Sequence, residues 1–333
     1  MSSDNAKKPY NAKRRIQFLS AFSVFLIVAA TAGWYFVAGK IDEAAGKLIS
    51  VQAAKGNVVE CDNRIVRGYP FRFGVFCDAV SYNDDKNNAL IIKAGAFRSA
   101  AQFYDPRKII GELDGPLVIE QPSMAQDIKV SWSSMRSSFV ATNPLPQHVS
   151  IVGKDVRIEQ SDDAPRIAAI GLESHMRING NDLDLAGRAQ ELSIKNTIAQ
   201  IENLPPLGLD FDATVKDGAA LLASNSLQLR GTDLDVRRIG VLLSDDQGLL
   251  LSGPLKVDNQ GLIDGELTLR IIDVDAVSNL IGKALPNIAP MLSAFAAGQP
   301  RSGEKNDEVE MTLSITKSQI RLGFIPLGKL KPL

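Results

Sequence analysis

The sequence predicts a mainly β protein: an N-terminal transmembrane helix, then an extended, curved, antiparallel meandering sheet, with short packing helices near the C-terminus. Three observations carry this. One apolar run, Ile16 to Gly39, holds no charged residue. Beyond it, apolar and polar residues alternate with period two in one short stretch after another, the pattern of strands buried on one face and wetted on the other. Glycine-bearing turn dipeptides separate these stretches at short intervals, which favours hairpins over βαβ units.

The apolar run comes first. At about 1.5 Å per helical residue it reaches roughly 36 Å, enough to cross the hydrocarbon core of a bilayer with some tilt. Gln17, Ser20, Ser23 and Thr31 are its clearly polar members. Lys7, Lys8, Lys13, Arg14 and Arg15 precede it, opposed by Asp4 alone, whereas Lys40, Asp42, Glu43 and Lys47 behind it nearly balance. The basic excess predicts a cytoplasmic tail over residues 1–15 and an anchor over 16–39, with Trp34, Tyr35 and Phe36 at the far interface. Everything from Lys40 onward is then exported. A competing reading is a cleaved signal peptide, for which Ala30-Thr31-Ala32 offers small residues at the right spacing. The run continues through Trp34-Tyr35-Phe36, which favours an uncleaved signal-anchor. A buried core helix fits less well, because cores rarely need so long a charge-free segment.

Composition bounds the rest. About 290 residues follow the anchor, ample for a sizeable core. The whole chain carries 37 bases against 38 acids, and the first 15 residues hold five of those bases and one acid. The remainder is therefore 32 against 37, a charge of −5. That mildly acidic body argues against nucleic acid as a partner and against adhesion to anionic headgroups by charge alone. The two cysteines, Cys61 and Cys77, both fall in the exported part, where an even count favours a disulfide. Closing a loop of about 15 residues stabilises by roughly 3 kcal/mol in the chain-entropy treatment. A reactive or metal-binding pair is the alternative; the spacing is wrong for a metal knuckle, no histidine is near and no C-x-x-C occurs.

Residues 40–55 read as a helical stalk: Ile41, Ala44, Ala45, Leu48 and Ile49 share one face, and Gly56 is placed to end it. Residues 56–333 form the β-rich domain. Val58 to Cys61 and Phe71 to Cys77 read as two strands around a turn at Gly68-Tyr69-Pro70, where glycine tolerates the bend and proline needs no ladder partner. A bridge between Cys61 and Cys77 would staple the two arms. Arg64, Arg67 and Arg72 surround the turn and suit an anionic headgroup, although solvated or acid-paired arginines are the commoner outcome.

Further strands are expected at Leu117 to Ile119, Ile128 to Val130, Val156 to Glu159, Leu183 to Leu185, Leu227 to Arg230 and Leu234 to Arg237. The clearest alternation is Val309, Met311, Leu313 and Ile315, then Ile320, Leu322 and Phe324. Turns are expected at Asp114-Gly115-Pro116, Asn179-Gly180, Asp217-Gly218, Gln247-Gly248, Gln260-Gly261 and Asp264-Gly265. Pro106 to Ile110 reads as a loop or single turn. Asp273 to Ala297 reads as one or two short helices on the sheet, broken at Pro286 and Pro290. Gly298 to Asn306 reads as a polar loop. The proline- and glycine-rich end from Gly323 is expected to lie along an edge or over an opening.

Chemistry is thin. His148 and His175 belong to no metal motif and no G-x-S-x-G elbow, and no phosphate-binding glycine pattern is present. Asp182, Asp184, Asp233, Asp235, Asp273 and Asp275 could form a calcium or paired-carboxylate site, but aspartate is commoner as a turn and cap residue. No cofactor, metal or catalytic residue is assigned. No N-x-[ST] acceptor occurs, which suits a bacterial envelope.

The anchor, the segment Cys61…Arg67-Gly68-Tyr69-Pro70-Phe71-Arg72…Cys77-Asp78 and the ending Gly323-Phe324-Ile325-Pro326-Leu327-Gly328 together resemble an uncharacterised alphaproteobacterial family of unknown function, over nearly the whole chain. Gly253 to Val257 and Gly261 to Leu269 are similar to strands of the larger AsmA-like envelope proteins. That second resemblance implies a membrane-anchored β-rich groove active in lipid transfer or outer-membrane homeostasis. Neither supplies catalytic residues. The expectation is an inner-membrane, single-pass protein whose periplasmic groove binds or passes lipid or another apolar ligand. The alternative is a structural or interaction protein of the envelope that docks a protein partner, and an unidentified hydrolase ranks third.

Overall fold

The computed structural model describes residues 12–84, 90–124, 126–160, 167–195, 204–223, 228–244, 246–284, 290, 294, 297–298, 300–302 and 308–333. It is mainly β: one long N-terminal apolar helix, a large open antiparallel sheet and a few small helices.

The first helix, α1 (Ala12–Ala54), runs unbroken for 43 residues. Its N-terminal part is long and apolar enough to cross a membrane. Phe18, Leu19, Phe25, Ile27 and Val28 stand more than half exposed, so no part of the described chain covers them, which removes the buried-core-helix reading. Gly56, in the left-handed region at φ 91°, donates its N–H to Ala53 O at 2.9 Å and closes the helix.

The sheet is a nearest-neighbour meander. Its first strands come in bent pairs: β1 (Asn57–Cys61) with β2 (Ile65–Arg67), β3 (Arg72–Cys77) with β4 (Val80–Asp84), β5 (Leu90–Ala94) with β6 (Phe97–Gln102), β7 (Asp105–Leu113) with β8 (Leu117–Glu120), and β9 (Ile128–Ser131) with β10 (Ser134–Val140). Each pair is one long strand kinked in the middle. On one side of the kinks the order is β2-β3-β6-β7-β10, and on the other β1-β4-β5-β8-β9. Both halves rejoin on β11 (His148–Glu159), whose Asp155 takes a positive φ of 51° at the same level. The kinks therefore line up as a crease. Polar bonds hold it: Arg98 forks onto both oxygens of Asp114, Trp132 Nε1 donates to Leu113 O at 2.8 Å, and Ser133 Oγ donates to Asp155 Oδ2 at 2.6 Å.

Beyond the crease the strands lengthen: β12 (Ile167–Asn179), β13 (Asp182–Ile194), β14 (Leu207–Val215), β15 (Asp233–Ser244), β16 (Gln247–Val257) and β17 (Ile263–Ile272). A short helix, α2 (Gly218–Ala223), joins β14 to β15, and α3 (Val274–Ala284) follows β17. The last strands are β18 (Arg301–Ser302), β19 (Glu308–Thr316), β20 (Gln319–Leu322) and β21 (Ile325–Lys329). Asp273 starts α3 by accepting the Ala276 N–H at 3.0 Å on its side chain. In β19 every second residue is inward: Val309, Met311, Leu313 and Ile315 are buried. The second half of the expected helical stretch, from Leu285 through Phe295, lies outside the described residues apart from Pro290 and Ala294.

Several local expectations are corrected. Phe324 does not continue the alternation of Ile320 and Leu322: β20 ends at Leu322 and Phe324 is exposed in the turn before β21. Pro106 to Ile110 belongs to β7: the register against β6 jumps from Ala101↔Ile109 to Gln102↔Asp105, and this bulge accommodates a proline without an N–H. Gln228 to Arg230 is not strand, because Gly231 at φ 74° turns the chain just before β15, and Leu227 lies outside the described residues. Gln247-Gly248 and Asp264-Gly265 sit within β16 and β17 rather than in turns. Their glycines are needed for close approach: a Cβ on Gly265 would stand 2.4 Å from Pro254 O, and one on Gly248 2.5 Å from Val241 O.

One face of the long strands is polar and laced by cross-strand ion pairs. Arg188 and Arg238 both bind the buried Asp210, at 2.8 and 3.0 Å. Asp184 accepts from Thr214 at 2.6 Å and from Arg177 at 2.8 Å, and Arg237 lies 3.5 Å away. The Thr214 hydroxyl and the Arg177 guanidinium hold the Asp184 carboxyl down at about 2 against the opposing pull of burial. A depressed carboxyl contributes stability above its unfolded value and loses it as pH falls through the folded one. Thermal unfolding followed from pH 5 to pH 2 should show a drop in midpoint between about pH 4 and 2. In Asp184→Asn that part of the drop should be missing.

Candidate functional site

The opposite face of the sheet is mainly apolar, with the small polar residues Ser99, Ser137 and Ser174 set into it. Directly paired residues in an antiparallel sheet point to the same side, so the registers define rows across it. One row runs Phe73, Ala101, Ile109, Phe139, Val149, Met176 and Leu185. A second runs Ile151, Ser174, Gly187, Phe211, Ile239, Leu251, Leu269 and Met311. A third runs Leu172, Ala189, Leu209, Val241, Leu249, Ile271 and Val309. From β6 to β19 this is eleven strands in succession, on the order of 50 Å at about 4.8 Å per strand.

Helices cover the two ends and leave the middle open. At the far end Val274 and Val277 of α3 pack with Ile271, Val309, Met311 and Leu322 in a closed core. At the near end α1 packs on β1, β2 and β3 and faces β6 and β7 across a hollow. Between them Ile151, Leu172, Leu209, Phe211 and Ile239 remain more than a third exposed. Among the described residues, three hollows can be named along this face. The largest, about 720 Å³, is walled by Ala30, Gly33, Trp34, Val37 and Ile41 of α1 and by Phe71, Phe73, Val75, Ala101 and Ile109 of the sheet. The next, about 340 Å³, lies over Phe139, Val149 and Ile151. The third, about 520 Å³, lies over Leu172, Leu185, Leu209, Phe211 and Ile239.

The near end is fastened by Trp34. Its ring stacks on Phe73 at 5.6 Å, meets Tyr69 edge-on at 5.6 Å, and its Nε1 donates to Arg72 O at 2.9 Å. One turn earlier, the Thr31 and Tyr69 hydroxyls bond at 2.8 Å. Farther along, Arg64 pairs with Asp42 at 2.7 Å. The hairpin tip carrying Gly68-Tyr69-Pro70-Phe71-Arg72 therefore reaches back along α1 into the apolar run itself. Gly68 adopts φ 119° and the Tyr69–Pro70 bond is cis. A Cβ on Gly68 would stand 2.7 Å from Arg72 O, the backbone group that Trp34 uses.

Cys61 and Cys77 are bridged, with Cα atoms 5.2 Å apart, and join neighbouring strands at the crease beside α1. Of the three arginines around the turn, Arg64 is acid-paired and Arg67 lies over the Phe76 ring at 5.5 Å. The C-terminal segment turns back on the sheet: Leu333 N donates to Gly261 O at 2.9 Å, and Arg230 Nε donates to Leu333 O at 2.9 Å. The two histidines, far apart in sequence, meet on the polar face. His148 Nε2 and His175 Nδ1 lie 2.7 and 2.8 Å from the Ser150 hydroxyl, and Glu173 is 3.6 Å from His175 Nε2. This is a cross-strand ladder on an open surface, with His175 and Glu173 each about two-fifths exposed. Of the six aspartates weighed as a cation site, Asp184 is engaged by Thr214 and Arg177, Asp182 by Lys216, and Asp273 by Gln247 and the start of α3. Among the described residues no group of three metal-ligating side chains converges.

Sequence reasoning did not single out Phe103, which lines the hollow beside α1 from the β6–β7 turn, or Tyr104, whose ring meets Phe103 edge-on. Phe103 lies 6.3 Å from Phe71, and both rings are more than half exposed. The available signal was an aromatic pair immediately before Asp105-Pro106. Gly33 was missed because a glycine within an apolar helix has no pattern of its own.

No curated protein and no solved structure matches the chain. A family described as an uncharacterised protein conserved in bacteria (DUF2125) matches residues 34–331, from the tryptophan that fastens α1 through the whole sheet. The chain belongs to this bacterial family.

Proposed function

We propose that this is a single-pass inner-membrane protein whose periplasmic sheet holds acyl chains along its apolar face and passes lipid between the bilayer and the far end of the sheet. The observation that carries the reading is the mainly apolar face, with hollows along it and open between α1 and α3. Water against so much apolar surface is costly, at about 25 cal/mol per Å², so an apolar occupant is favoured. The ligand sought has no need of charge recognition, which suits hollows lined mainly by apolar side chains. The basic residues ahead of Ile16 support a cytoplasmic N-terminus. The Cys61–Cys77 bridge supports an oxidising compartment for the sheet. Retention of the anchor is supported by bonds on both sides of Ala32, from Thr31 to Tyr69 and from Trp34 to Arg72.

The test is purification of the full chain from membranes, exchange of loosely held detergent and lipid, and mass spectrometry of what remains. Phospholipid or another acyl-bearing molecule retained at one or more per chain is expected. A lipid-free chain with a protein neighbour trapped on the apolar face would favour the interaction-protein reading instead.

A further inference from the structure

The membrane helix builds a wall of the largest hollow, and that fixes its depth. Counting from Ile16, about 20 helical residues fill a hydrocarbon core of roughly 30 Å. The core then ends near Tyr35. Ala30 and Gly33, which line the hollow, lie at acyl-chain depth, and Trp34 and Val37 lie at the interface. The sheet is held at this level by the Thr31–Tyr69 and Trp34–Arg72 bonds. Tyr69, Phe71, Phe103 and Tyr104, all about half exposed or more, project where an interfacial aromatic belt sits.

We infer that the seam between α1 and strands β3, β6 and β7 is a lateral lipid portal, through which the acyl chain of a phospholipid passes from the leaflet on the domain's side into the 720 Å³ hollow. The inference deepens the reading above and rests on it for where the lipid goes next. The hollow matches the roughly 300–1,000 Å³ of sites that bury a single small molecule. Its walls are continuous with bilayer hydrocarbon, so a chain moving sideways never crosses water. The Thr31 hydroxyl donates to Ile27 O at 2.7 Å and accepts from the Tyr69 hydroxyl, so the polar atoms at the mouth cost little at that depth. Gly33 keeps the hollow open: a Cβ there meets nothing within 4 Å. Gly39, on the same helix, is equally unobstructed but does not line the hollow. The two positions therefore form a matched pair, since a larger side chain at either is sterically free in the folded chain and removes a helix-weakening glycine.

The experiment uses the full chain in vesicles of phosphatidylethanolamine and phosphatidylglycerol, with a small share of phospholipid bearing a photoactivatable group near the end of one acyl chain. Adducts are mapped to peptides after irradiation. Adducts are expected on the peptides containing Phe71 to Val75 and Phe103 to Ile109. Gly33→Phe should lower them at least about fivefold, the scale of overpacking a filled site. Gly33→Leu should lower them less, and Gly39→Phe should leave them unchanged. Labelling of these peptides no stronger than at Phe324, an exposed ring at the opposite edge of the sheet, would overturn the portal. So would equal labelling in Gly33→Phe and Gly39→Phe. Peptides containing Phe211 and Ile239 report the apolar face separately. Their labelling without the portal peptides overturns the portal alone, and the reverse pattern overturns the lipid-passing function alone.

Discussion

Replacing Phe211 and Ile239 together by glutamate is expected to cut the lipid retained per chain at least about tenfold. The two residues face each other across β14 and β15 in the middle of the apolar face, 40% and 36% exposed. In the empty chain a glutamate at either site keeps contact with water, and a like-charge pair directly opposite costs only about 0.2–1 kcal/mol. With an acyl chain laid over them both carboxylates lose solvent, at roughly 1–3 kcal/mol or more each. The cost therefore falls on the loaded state. Ile110→Glu is the control, because Ile110 pairs with Ser138 and points to the polar face. It should leave retained lipid unchanged. Retained lipid is read by mass spectrometry, and a thermal midpoint within a few degrees of the parent confirms that the sheet is intact.

Loss of the Cys61–Cys77 bridge is expected to lower stability by roughly 3 kcal/mol, the chain-entropy value for a loop of about 15 residues. For a domain of this size that is a fall of about 5–10 °C in the unfolding midpoint. Cys61→Ala with Cys77→Ala, measured against the parent with and without reductant, isolates the effect. Reductant should move the parent to the level of the variant and leave the variant where it is. The bridge ties the edge strand to β3, which carries Phe73 under Trp34. Loosening should therefore begin at the helix–sheet junction, seen as faster amide exchange in residues 61–77 than in β15 to β19.

Much of the fold was legible because it is written in local periodicity. The period-two run from Val309 to Ile315 becomes a strand with each apolar residue buried, and Asp273 opens a helix that lies on the sheet. The staple between the arms around Gly68-Tyr69-Pro70 followed from cysteine count and a turn with a mechanism. Glycine misled where it served close backbone approach rather than a turn, as at Gly248 and Gly265. Proline misled at Pro106, where a bulge absorbs the missing donor. The site was less legible, since it is a property of register across many strands. Ser174, Gly187 and Phe211 form one row only once β12, β13 and β14 are paired. The meeting of His148 with His175 around Ser150 is likewise invisible until β11 lies beside β12. The return of the hairpin tip to Thr31 spans 38 residues and leaves no periodic trace.

Acyl chains are proposed to occupy the middle of the apolar face. The most direct measurement places a photoreactive benzoylphenylalanine at position 211 of the full chain in living cells and weighs the adduct formed on irradiation. The expected result is a mass increase equal to a phospholipid or another acyl-bearing molecule. An adduct to a protein, or none beyond water, would contradict it.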